Sequence, residues 1–144
     1  MAHIEVTGFD EVLKKLEKMS DLGKMNEVAR KAVQEAEPIN ESAVRSAIAA
    51  VEYGPYSTGS VSGSISSTEA KINAYGAFAV ARPTGRDAKG VRNGEKAAYL
   101  QYGSPKKGPR KLEARPWRQS AVASAEGACI KSIEATLKSE LELD

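Results

Sequence analysis

Apolar residues return every three or four positions in three stretches of the chain, and the stretch between the second and third is patterned differently. Phe9, Val12, Leu13 and Leu16 share one side of a helix predicted from about Phe9 to Met19, with Lys14, Lys15 and Lys18 opposite. A short strand is expected before it over His3–Thr7, and Thr7 and Asp10 form a Thr-x-x-Asp capping pattern. Ser20-Asp-Leu-Gly23 breaks this helix. A second, from about Met25 to Val51, carries Met25, Val28, Ala29, Ala32, Val33, Ala36, Ile39, Ala43, Ala47 and Ile48 as one stripe. Pro38 lies inside it and is expected to bend or split it, because proline lacks an N–H and crowds the preceding turn. The alanines of the stripe permit close approach of another helix. The preferred partner is the last helix of the same chain, the alternative a neighbouring copy.

That last helix is predicted to begin at Pro116, a residue suited to the first helical position. Trp117, Ala121, Ala125, Cys129, Ile133, Leu137 and Leu141 follow at mostly four-residue spacing. Arg115 is a poor N-cap, so the cap should come from elsewhere in the fold.

In the middle, Tyr53-Gly-Pro-Tyr-Ser-Thr-Gly59 is a turn cluster. Three β-tolerant runs follow: Ser60 to about Asn73, Tyr75 to Arg82, and Ala97 to Tyr102, the last with Tyr99 on one face and Leu100 and Tyr102 on the other. Joined by turns, they suggest an antiparallel meander. The fold expected is α+β, with an antiparallel sheet of three to four strands packed against a long, Pro-bent helix and a long C-terminal helix. Residues 1–144 form a single domain in this reading, with a mobile basic loop at about 83–96 and a second basic loop at 104–113.

Composition adds limits. The 144 residues suffice for one modest core, and 41% hydrophobic with 28% charged residues is ordinary for a globular protein. No apolar run approaches the roughly 20 residues that span a bilayer, so no membrane partner is expected. Cys129 is the single cysteine and excludes an internal disulfide; it is expected to serve as a small apolar residue within a helix. The net charge of +2 hides an asymmetry. Between Arg82 and Arg118 stand eleven Lys and Arg against three Asp and Glu, while the remainder holds ten cations and sixteen acids. Such a dipolar chain can set its basic segment against an acidic partner, against DNA, or against a copy of itself.

Catalytic chemistry finds no support. His3, the single histidine, has no neighbouring His, Cys or carboxylate cluster for a metal or a proton relay. The hydroxyls of Ser57-Thr-Gly-Ser60 lack an activating base, and no Gly-Lys-Ser/Thr phosphate loop occurs. No enzyme activity, cofactor, metal or small-molecule substrate is expected. Tyr99, Tyr102 and Trp117 are the stronger signal, since aromatic groups with a polar edge suit half-apolar, half-wet contacts. Core packing is the leading fate for Trp117 taken alone. Beside them lie Lys106, Lys107, Arg110 and Lys111. These seven are the candidate subunit or partner contacts. Arg82, Arg86, Lys89 and Arg92 are the candidates for touching DNA or an acidic partner.

In that order the motifs resemble one phage family: the tail-completion, or head–tail joining, proteins of long-tailed bacteriophages, also called minor tail components. The matching elements are Val6-Thr-Gly-Phe-Asp-Glu11, the alanine-rich helix, Thr58-Gly-Ser-Val-Ser-Gly-Ser-Ile65, Tyr99-Leu-Gln-Tyr-Gly-Ser104 and Ala114-Arg-Pro-Trp117 with its terminal helix. Ser104 stands where threonine is usual and Val61 where leucine is frequent. The resemblance implies a structural virion protein, assembled in the host cytoplasm and placed in the tail-neck region. Six copies would form a ring, with head connector or neck proteins and tail tube or tail terminator proteins as partners, and DNA in the channel as a further candidate. A small basic nucleic-acid-binding module is the alternative reading.

Overall fold

A computed structural model describes residues 9–54, 57–104 and 111–142. The strand expected at His3–Thr7, and Thr7 of the capping pattern, lie outside them. Helix α1 spans Phe9–Ser20 and α2 spans Leu22–Val51. One residue, Asp21, separates them: its side chain accepts from the Lys24 N–H at 3.1 Å and satisfies a donor that the new helix leaves free. The α2 helix continues through Pro38 as a single element, so of the two expected outcomes, a bend or a split, the split does not occur.

The C-terminal helix α5, Arg118–Leu141, runs antiparallel along α2. Lys31 pairs with Glu140, Thr136 donates to Glu35, and the Cys129 thiol lies 3.8 Å from the Ala36 carbonyl oxygen. The alanine stripe explains the closeness. Ala32, Ala36, Ala47, Ala121 and Ala125 are all buried. The intrachain partner preferred from the sequence is the one observed.

Between α2 and α5 the chain first makes a single turn of helix, α3 at Ser60–Gly63. Glu52, the residue after α2, accepts from the N–H groups of Val61 and Ser62 at 2.9 and 3.0 Å, which fixes α3 on the end of α2. Four short strands follow: β1 Ile65–Ser67, β2 Lys71–Asn73, β3 Gly76–Phe78 and β4 Ala81–Pro83. They form one hairpin in two antiparallel ladders, β1 on β4 (Ile65 opposite Pro83) and β2 on β3 (Lys71 opposite Phe78). Between the ladders residues 68–70 face only 79–80, so the register slips by one in a bulge. The hairpin is tied to α2 by Gln34 accepting from Ala70 N–H, Glu41 from the Ser67 hydroxyl, and Arg45 donating to the Ile65 carbonyl.

The architecture is therefore α+β, as the sequence suggests, with one element reassigned. Residues expected as the third strand belong to helix α4, Asn93–Tyr102. Glu95-Lys96-Ala97-Ala98 are strong helix formers, and Asn93, Ala97 and Leu100 are buried at helical spacing. The core gathers where the second half of α2 meets α3, β1, α4 and the start of α5: Val44, Ala47, Ile48, Val61, Ile65, Ala97, Leu100, Trp117 and Ala121. Among the described residues no helix is long and apolar enough to cross a membrane.

Candidate functional site

The segment from Ala97 to Trp117 is first of all a joint between three helices. Trp117 is 8% exposed and its indole N–H donates to the Ala97 carbonyl at 3.0 Å. It is a core residue that clamps α5 to α4, and its surface-contact role gives way to this one. The cap that Arg115 cannot provide comes from α4, where Gln101 Oε1 accepts from the N–H groups of Trp117 and Arg118, both at 3.0 Å. Arg115 in turn serves α2. Its guanidinium donates to the carbonyls of Val51 and Tyr53 at 3.0 and 2.9 Å and lies 3.8 Å from the centre of the Tyr53 ring. No basic residue stands in the last turn of α2, so Arg115 supplies from a distance the positive charge that end favours. Gly103 closes α4 with φ of +85°, and a Cβ there would meet the Leu112 carbonyl oxygen at 3.1 Å.

The remaining contact candidates are scattered. Tyr99 is half-buried and donates to Glu95 at 2.7 Å, which holds the phenol above its ordinary pKa. Tyr102 is exposed and stacks with Arg118, whose guanidinium lies 5.6 Å from the ring centre. Lys111 is exposed, 3.9 Å from Glu113. Lys106, Lys107 and Arg110 lie outside the described residues.

Three of the four residues assigned to DNA or an acidic partner do come together. Arg82 on β4, Arg86 in the following turn and Arg92 at the start of α4 line one open cleft of about 820 Å³, with Gly85, Gly94 and Glu95. Lys89 is exposed but does not line it. The segment 83–96, expected as a mobile loop, is a hydrogen-bonded turn leading into α4. Asp87 Oδ1 accepts from the N–H groups of Lys89 and Val91, both at 2.9 Å, and its other oxygen pairs with Lys96. Lys96 and these N–H groups hold the Asp87 carboxyl below its ordinary pKa. Arg86 and Arg92 face each other as an antiparallel bridge, and Arg86 also donates to the Gly90 carbonyl at 2.7 Å. Asn93 pins the turn to α4: its backbone N–H donates to Gly85 O and its side-chain amide to Thr84 O.

Two apolar surfaces are exposed among the described residues. On α1, Val12, Leu13, Leu16 and Met19 are all exposed, continued by Leu22 at 77%. On the hairpin, Ile72, Phe78 and Val80 are exposed around Tyr75, which is 98% exposed at the tip. Periodicity alone identified the α1 stripe but not what it packs against; only the packing shows that nothing in the described chain covers it.

No family model, curated protein or solved structure matches the chain.

Proposed function

We propose that the chain is a non-enzymatic structural subunit of a bacteriophage virion, one copy in a ring that completes the tail and joins it to the head. The observation that carries this reading is the pair of unlike apolar surfaces, on α1 and on the β2–β3 hairpin, in a chain whose core closes elsewhere. A ring of identical copies needs a heterologous interface, in which one patch meets a different patch on the next subunit. Exposed apolar groups on two separate elements meet that need, and exposed clusters of this kind mark interaction sites. The separation of basic and acidic segments adds a direction to the contact. The ordered set of motifs that resembles tail-completion proteins supplies the biological setting.

Sedimentation of the purified chain over a range of concentrations tests the ring. Wild type should form one closed species of several copies. Leu16→Asp on α1 and Tyr75→Asp at the hairpin tip should each reduce it to monomers while leaving the circular dichroism spectrum unchanged. A wild type that stays monomeric at every concentration, or rings that survive both substitutions, would remove the proposal.

A further inference from the structure

We propose that the cleft lined by Arg82, Arg86 and Arg92 is a binding site for the phosphodiester backbone of nucleic acid. Three arginines from three different positions in the fold line one open space of about 820 Å³. Among the described residues neither Arg82 nor Arg92 has an ion-pair partner, and Arg86 bonds only a carbonyl. The nearby carboxylates do not cancel them. Asp87 is paired with Lys96, and Glu95 is a single charge against three, with one oxygen already bonded to Tyr99. The turn that carries Arg86 and Arg92 is built, not loose: Asp87 and Asn93 hold its backbone from both sides.

The choice of phosphodiester over an acidic peptide follows from what the cleft lacks. Among the described residues Pro83 is the only apolar side chain lining it, and no aromatic ring does. A peptide would find no pocket for its side chains, and an unstacked base no platform. What remains is planar, bidentate recognition of phosphate by arginine, which reads charge and spacing but not sequence.

Fluorescence anisotropy of the full chain with a labelled duplex of about 20 base pairs tests this. With three phosphate contacts, raising salt from about 50 to about 200 mM should weaken binding roughly 40-fold, whatever the sequence. R82Q/R92Q should bind more weakly at the lower salt and lose only about 3-fold to 4-fold over the same range, because one contact remains. Its thermal midpoint should match wild type. Sedimentation in the same buffers reads the ring separately, so loss of assembly and loss of binding are distinguishable. No duplex binding at the lower salt, a double variant that binds as wild type does, or a polyglutamate competitor that binds as tightly as DNA would each overturn the assignment.

Discussion

Gln101 is an exchangeable-looking polar residue that holds the N-terminus of α5 through two backbone N–H groups. Gln101→Ala should cost about 1 kcal/mol, the usual worth of a helix cap, and lower the thermal midpoint by about 3 °C. Trp117→Ala should cost about 3–5 kcal/mol, since it empties a core position and leaves α4 and α5 unclamped; denaturant titration measures both. The sequence told part of this. Arg115 was legible as a poor cap, and Trp117 as a core candidate, from their own chemistry. Gln101 was not, because a cap acceptor lying on another helix leaves no mark at the helix it serves. Asp87 makes a pH prediction. Its carboxyl titrates lower in the fold than in the unfolded chain, so its contribution is complete above the ordinary aspartate value of 3.8 and is lost as acid protonates it in the fold. The gap in thermal midpoint between wild type and Asp87→Asn should therefore be constant near neutral pH and close as pH falls below about 4.

Among the elements, the helices with long periodic stripes were legible to within a few residues, because burial along one face leaves a repeat that no loop imitates. The exchange of a strand for α4 has a local cause. Two tyrosines and a leucine in six residues read as a β segment, but Ala97 and Leu100 at a spacing of three, behind Asn93 at four, are what the core receives. The hairpin was legible as two runs, while its bulge depends on a cross-strand count that neither run contains. Pro38 is the element-scale test. It is exposed within α2, where its ring displaces a backbone donor and little packing depends on it. Pro38→Ala should stabilise the fold by about 1–3 kcal/mol, read as a rise in thermal midpoint. A fall would mean that the proline shapes the seam between α2 and α5.

At the scale of the whole molecule, the charge asymmetry seen in the sequence becomes local and specific. Part of the basic segment is consumed internally: Arg115 on the end of α2, Lys96 on Asp87, Arg118 on Tyr102. What is left outward-facing includes the arginine cleft, and among the described residues the apolar faces of α1 and the hairpin are left exposed as well. Those faces could not be read in advance. A helix that buries its stripe in its own core and one that buries it in a neighbour have the same sequence pattern, and only the closed packing of the remaining elements separates them. The proposed ring requires self-association through those faces. Negative-stain electron microscopy of the purified chain tests it most directly: closed rings of uniform diameter are the predicted image, absent from Leu16→Asp, and a field of single small particles for wild type at every concentration would contradict it.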